Sequence, residues 1–284
     1  MKLVLTGVTG FTGSFVLRRL REAGIEPLCL VRKPVAMPHV IGDLADPASL
    51  DRAFRDADTL INVASLGFGH APALVDAVER SPIRRAIFIS TTAMFTKLNA
   101  KTKAVRVAAE ERITSSSIDY TILRPTMIYG TSRDRNMCRL IRYLHRWPAI
   151  PVLGKGDKLQ QPVYVDDVAK AVIQSLQAPA TIRRAYNISG GTALTFDEVI
   201  DTIASLLHRR VRKLHLPAAP AIATLSTFER IGIRFPIKSE QLLRLNEDKA
   251  FDHAAATRDF GYAPISFSDG IRAELAEMGL GRSR

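Results

Sequence analysis

Acidic residues are scarce in this chain: 28 Asp and Glu stand against 40 Lys and Arg, leaving a net charge of +12 and an isoelectric point near 10.0. The balance favours an anionic partner but does not choose between a phosphorylated small molecule, nucleic acid and an acidic membrane surface. Cysteine is nearly absent. Cys29 and Cys138 both fall in apolar or helical stretches, which excludes a disulfide framework and suits a reducing cytosol. Long apolar runs are missing too. The N-terminus "MKLVLTGVTG" breaks into Thr6 and Gly7 too early for the apolar region of a signal peptide, and "LPAAPAIATLSTF" from Leu216 is short and carries two prolines. No membrane span is expected, and the expected location is cytoplasmic. His39, His70, His145, His208, His215 and His253 share no zinc-ligand spacing with the cysteines or with one another, so no metal site is expected. The densest basic cluster, "HRRVRKLH" from His208, has no interleaved aromatic on which bases could stack. It reads as a solvated surface or an interface rather than a nucleic-acid site.

What is present is enough apolar material for a large core, 46% of 284 residues. Short apolar runs alternate with helical patterns: "KLVLT", "EPLCLVR", "HVIGD", "DTLINVAS", "RAIFIST" and "DYTILRP" as strands, with helices between them. Asp46 before Pro47 forms a helix start, and Gly24 a helix stop. Strands joined by helical crossovers pair in parallel, so the expected fold is α/β, a doubly wound parallel Rossmann sheet. After Pro125 the rhythm changes, which predicts a smaller C-terminal α/β substrate lobe over 127–284, with segments rejoining the sheet of 1–126. The sequence leaves room for a homodimer.

"TGVTGFTG", Thr6 to Gly13, lies directly between the first strand and the first helix. Gly7 permits a tight turn, Gly10 lets a pyrophosphate approach the backbone, and Gly13 lets helix and strand pack closely, while the helix N-terminus supplies free amides. A nucleotide site is the reading, with Thr6, Thr9, Phe11 and Thr12 completing the loop. At the end of the second strand, where an acidic residue would bind a ribose hydroxyl, stand Arg32 and Lys33. Two cations there suit a 2′-phosphate and favour NADP(H) over NAD(H); two solvated loop charges are the alternative. Asp43 in "GDL", with Leu44 beside it, is placed to accept from an adenine amino group, or is an ordinary loop aspartate.

"TGVTGFTG", "GDL", "LINVA", "TILRPTMIYG", "QPVYVDDVAKAV", "YNISGG" and "DFGYAPISFSDGI" occur in that order over nearly the whole chain. Together they resemble the extended short-chain dehydrogenase/reductase superfamily, its NAD-dependent epimerase/dehydratase group. "RDRNM" followed by "LQQPVYVDDVA" is also similar to the atypical branch that contains the NDUFA-nine-type subunit of complex I, where the standard catalytic pair is often lacking. The resemblance implies a cofactor cleft that also takes in Val63, Ala64 and Ser65 after the fourth strand, Ser90 after the fifth and Pro125 after the sixth.

The same resemblance places a Tyr-x-x-x-Lys pair on the helix before the sixth strand. Counting back from Ala109 and Glu110 puts Arg106 at the lysine position and Thr102 at the tyrosine position. Arg106 can hold ribose hydroxyls, but an aliphatic hydroxyl is too weak an acid to replace a phenol. Thr92 is similar in position to the family's substrate-orienting serine or threonine. Replacement acids or bases are sought at the same mouth of the sheet: Lys103 first, then Tyr129, with Tyr164 and His70 nearby. Arg133, Arg135 and Asn136 in "TSRDRNM", together with Lys155 and Tyr164, are the candidates for an anionic substrate. Hydride transfer to or from a nucleotide-sugar or similar phosphorylated substrate is one expectation. A non-catalytic NADPH-binding scaffold, assembly factor or sensor is the other.

Overall fold

The computed structural model describes residues 1–97, 101–134, 136–217 and 247–280. Arg135, and the apolar stretch beyond Pro217, therefore lie outside the described residues. The chain opens with β1 (Leu3–Thr6), α1 (Phe11–Glu22), β2 (Leu28–Val31), β3 (His39–Ile41) and α2 (Pro47–Phe54). It continues through β4 (Thr59–Asn62), α3 (Ala71–Glu79), β5 (Arg85–Ile89), α4 (Lys101–Thr114) and β6 (Asp119–Pro125). These strands, joined by β11 (Arg184–Ile188), form one parallel sheet in the order β11-β6-β5-β4-β1-β2-β3.

The sheet is wound on both sides because successive side chains on each strand face opposite ways. Leu3, Leu5, Ile61, Ile87, Ile89 and Leu123 join one core with Val16, Leu17 and Leu20 of α1 and Val168 and Val172 of α6 (Val165–Gln177). Val4, Leu60, Ala86, Phe88 and Ile122 turn into the other core, against Leu50 and Phe54 of α2, Leu74 and Val78 of α3, and Ala109 and Ile113 of α4. The predicted helix signals have their physical counterparts. The Asp46 side chain accepts from the Ala48 amide, with Pro47 in the first turn, and Gly24 follows α1 at φ +74°.

The remainder interleaves with the sheet. Between β6 and α6 run β7 (Ile128–Tyr129), α5 (Met137–Arg146), β8 (Ala149–Leu153), β9 (Leu159–Gln160) and β10 (Val163–Tyr164). After β11 come β12 (Leu194–Thr195), α7 (Phe196–Leu206), β13 (Arg212–Leu216), α8 (Ala254–Phe260) and α9 (Phe267–Glu277). The short strands pair locally, β10 with β7, β12 with β9 and β13 with β8. A third core of Met137, Ile141, Leu144, Val199, Ile203, Ile271 and Leu275 holds α5, α7 and α9 together.

Away from the glycine-rich loop, Arg85 ties the lower edge of the sheet. Its guanidinium donates to the Asp119 and Ser175 carbonyls and to the hydroxyls of Thr121 and Thr181, at 2.8, 2.9, 2.8 and 2.8 Å. Burial lowers its pKa to about 10. Charge-assisted bonds to neutral acceptors hold this cation, so Arg85→Met is expected to lower unfolding free energy by about 2 kcal/mol. Urea denaturation checks this; an unchanged midpoint would show that water replaces the guanidinium without cost.

Candidate dinucleotide site

In the sheet order, β1 lies between β4 and β2, the point where successive crossovers reverse direction and where open α/β sheets bind ligands at their C-terminal edge. The β1–α1 loop sits there. Gly7 turns the chain at φ +72°, and a Cβ on it would lie 2.6 Å from the Ala64 nitrogen. A Cβ on Gly13 would lie 2.1 Å from the Gly7 carbonyl oxygen, and one on Gly10 3.1 Å from that oxygen. The glycines thus let the loop, the end of β4 and α1 pack backbone against backbone, beside a helix start with no acidic residue in its first turn. That is what a pyrophosphate needs. Thr6 is buried: its hydroxyl donates to Asn62 Oδ1 at 2.6 Å, and Asn62 Nδ2 donates to the Ala64 carbonyl at 3.0 Å. The expectation that Thr6 itself faces a ligand is corrected to a bracing role, and Asn62, missed in the sequence, carries the brace. An asparagine directly after the apolar pair Leu60 and Ile61 was its signal. Thr9 is exposed, Thr12 half-buried, and Phe11 stands edge-on to Phe15.

Arg32 and Lys33 are exposed just after β2 and form no ion pair among the described residues. Asp43 is exposed, with Oδ1 accepting from the Ala45 amide, so part of its hydrogen-bonding capacity closes its own turn. Leu44 packs on the second core and Val63 on the first. The Ser65 hydroxyl caps the turn Leu66–Phe68 through the Gly67 amide. His70, at the start of α3, is held below its usual pKa by burial, against a weaker opposing effect of Asp43, and its Nε2 has no hydrogen-bond partner.

At the end of β5, Ser90 donates to Glu110 Oε1 at 2.5 Å. Glu110, almost fully buried on α4, also receives Arg124 Nε at 2.9 Å and Nη2 at 2.5 Å. The Ser90 proton is therefore engaged with the Glu110–Arg124 ion pair, which leaves the hydroxyl only its acceptor side for a ligand. Glu110 served the sequence only as a counting landmark. Thr92 is buried, its hydroxyl 3.4 Å from the Pro125 carbonyl. Lys103 Nζ donates to the Thr96 carbonyl at 2.7 Å, beside the turn Thr92–Phe95. Thr102 is exposed. Arg106 faces the loop after β4, its Nε 3.2 Å from where a Gly67 Cβ would stand.

Tyr129 is not at this mouth. It is 1% exposed in the third core, between Tyr164 and Phe267, with its hydroxyl 3.4 Å from the Phe267 carbonyl. Burial, then Glu274, pushes its pKa far above the ordinary phenol. The expectation of an acid or base there is overturned, because a strand leaving the sheet carries its side chains into the lobe core. Tyr164 lies over Gly130, where a Cβ would be 2.6 Å from its ring. Arg133 does reach the cleft: Nη2 donates to the Thr9 carbonyl at 3.1 Å. Asn136 is exposed at the start of α5. Lys155 sits apart, in the turn after β8 that packs against Asp197 of α7. Among the described residues no group of His, Cys, Asp or Glu is placed to hold a metal ion, and no helix is long and apolar enough to cross a membrane.

This cleft, the switch-point sheet and the ordered motifs define a dinucleotide-fold protein, and comparison with known proteins gives its family. The model of the NAD dependent epimerase/dehydratase family matches residues 3–189, and the chain belongs to that family. It is 25% identical to mitochondrial NADH dehydrogenase (ubiquinone) 1 alpha subcomplex subunit 9 of Arabidopsis thaliana, over 91% of this chain and 73% of that protein. It is 27% identical to the ceramide reductase of Caulobacter vibrioides, over 78% of this chain and 75% of that one. Among solved structures, MoeE5 in complex with UDP-glucose and NAD superposes with a TM-score of 0.77 at 18% identity, covering 98% of this chain and 99% of that one.

Proposed function

We propose that this protein holds NADP(H) in the β1–α1 cleft and acts as a dinucleotide-binding module in which phenol-driven proton transfer has been lost. What supports the reading is the exposed Thr102 of α4, which counting back from Ala109 and Glu110 puts at the family's tyrosine position, while Tyr129 is buried and Tyr164 covers Gly130. Arg106 keeps the cationic half of the pair, aimed at the loop where a ribose would lie. A bound nicotinamide supplies a hydride donor or acceptor. This chain's residues bind and orient it: the Gly7–Gly13 loop and the α1 amides for the pyrophosphate, Arg32 and Lys33 for the 2′-phosphate, Arg106 for the ribose. NADPH is expected to bind at least about tenfold more tightly than NADH, because charge-assisted bonds of this kind contribute roughly 1.5 to 3 kcal/mol. Titration calorimetry on wild type and Arg32→Ala tests this; equal affinities for the two dinucleotides in wild type remove the 2′-phosphate argument.

A second reading, a reductase or epimerase on a nucleotide-sugar or other phosphorylated substrate, rests on Lys103 and Thr92. Both lie at one turn beyond β5, and Arg133 adds a cation at the opposite lip. For Lys103 to serve as acid it must leave the Thr96 carbonyl and reach about 3 Å from a reacting oxygen. Turnover across ketone and nucleotide-sugar panels that falls roughly 100-fold in Lys103→Ala, with NADPH affinity kept, would favour this reading. No turnover in wild type favours the binding module.

A further inference from the structure

No Asp or Glu occurs between Asp134 and Asp157, nor between Asp201 and Glu229. The parallel pairing of β13 with β8 lays these two acid-free stretches side by side, from Arg212 opposite Ala149 to Leu216 opposite Leu153. Alternation gives the ribbon two unlike faces. Ile150 and Val152 enter the lobe core, and the residues paired with them, Lys213 and His215, bind Asp201 and Asp197 of α7 at 2.6 and 3.0 Å. The other face carries Pro151, Leu214 and Leu216, with the two leucines 52% and 45% exposed. At the end where the chain enters β8, Trp147 is 50% exposed with the Arg146 guanidinium 5.6 Å over its ring. The Arg212 amide donates to the Pro148 carbonyl, so Arg209, Arg210 and Arg212 arrive at that same end. None of these four arginines forms an ion pair among the described residues.

We infer that this face rests on an anionic lipid surface. Trp147 takes the headgroup level, Leu214 and Leu216 enter the acyl boundary, and the arginines bind lipid phosphates while their stems cover apolar surface. Charge and chemistry together select this occupant. Nucleic acid matches the arginines and Trp147, but the flat aliphatic face of Leu214 and Leu216 finds little apolar surface there beyond thymine methyls, whereas a lipid surface takes in the whole face. A second copy related by a two-fold axis buries the leucines but offers no carboxylate from these acid-free stretches to either arginine cluster. The surface is separate from the dinucleotide cleft and does not depend on it.

Trp147 is the only tryptophan in the chain, so intrinsic fluorescence reports on this face directly. The full chain is mixed with phosphatidylcholine vesicles, with and without phosphatidylglycerol, and followed by emission and flotation. The expected result is a blue shift and flotation with the anionic vesicles only, both reversed by high salt. Arg209→Ala with Arg210→Ala should weaken flotation by at least about tenfold. Leu214→Asn with Leu216→Asn should abolish the blue shift, with thermal unfolding and NADPH titration unchanged in both double variants. Unmoved emission with protein left at the bottom of the gradient overturns the proposal. So does salt-sensitive binding to an oligonucleotide where vesicles fail, or a dimer that blue-shifts Trp147 without lipid.

Discussion

Replacing Gly13 by alanine is expected to abolish dinucleotide binding and to lower unfolding free energy by about 3 kcal/mol or more, although alanine is the better helix former. The added Cβ would meet backbone, 2.1 Å from the Gly7 oxygen and 2.7 Å from the Gly7 carbonyl carbon, and no side chain can rotate away to relieve it. Either α1 retreats from β1 or the loop opens, and both moves take the free amides of α1 away from a pyrophosphate. The ordinary gain from glycine to alanine inside a helix, about 1 kcal/mol, has the opposite sign, so a net loss isolates the clash. Gly24→Ala separates this from backbone strain. Gly24 has φ +74° but nothing within 4 Å of a Cβ, so only the left-handed conformation is penalised, by about 1 kcal/mol, and NADPH affinity is kept. NADPH fluorescence titration with chemical denaturation measures both. A Gly13→Ala protein with wild-type stability and affinity would show that the close approach of α1 to the Gly7 turn does not shape the binding loop.

Much of the sheet was legible because local signals agreed with the tertiary result. In "KLVLT" and "RAIFIST" an unbroken apolar run, Leu3 to Leu5 and Ala86 to Ile89, stands between polar ends, as a strand covered on both faces requires, and Leu3, Val4 and Leu5 do divide between two cores. Asp46 and Gly24 marked helix ends by their own hydrogen-bonding and φ preferences. The lobe was less legible. β7, β9, β10 and β12 are two residues long, too short for any periodicity, and exist because distant segments supply their partners. The β8–β13 ribbon joins segments some sixty residues apart, so its apolar outer face could not be read from either strand alone. In the site, the glycines were readable because their constraint is steric and local. Ser90, Glu110 and Arg124 were not: their bonds cross from β5 to α4 to β6, and side-chain commitments of that kind leave no trace in spacing. Tyr129 misled because position after a strand does not reveal which way a side chain turns once the strand has left the sheet.

Stability is expected to fall as pH rises from about 5 to 8, and Glu274→Gln is expected to flatten that slope and to be more stable than wild type at pH 8 by about 2 kcal/mol or more. Glu274 on α9 has no solvent exposure, and neither of its oxygens receives a well-formed hydrogen bond. Burial, then the carboxyl of Asp134 within hydrogen-bonding reach, pushes its pKa up to about 10, with Glu277 adding to the shift and the Gly130 amide opposing it. Asp134 is itself buried. Its Oδ1 accepts the Asn136 and Cys138 amides at 2.9 and 3.1 Å, while its Oδ2 has no donor unless Glu274 carries a proton. In the unfolded chain Glu274 ionises near the usual carboxylate pKa of about 4.3. Between that value and about 10 the folded state holds one proton more than the unfolded state. The derivative of unfolding free energy with pH is therefore negative, with a limit of about 1.4 kcal/mol per unit for one group. Below about pH 4 both states are protonated and the contribution vanishes. Glutamine reproduces the protonated acid, donating to Asp134 Oδ2 and accepting from the Gly130 side, without any proton to bind. Urea denaturation of wild type and Glu274→Gln at pH 5, 6.5 and 8 separates the cases. Parallel pH profiles for the two proteins would mean that Glu274 is ionised in the fold and that another group holds the Asp134 carboxylate.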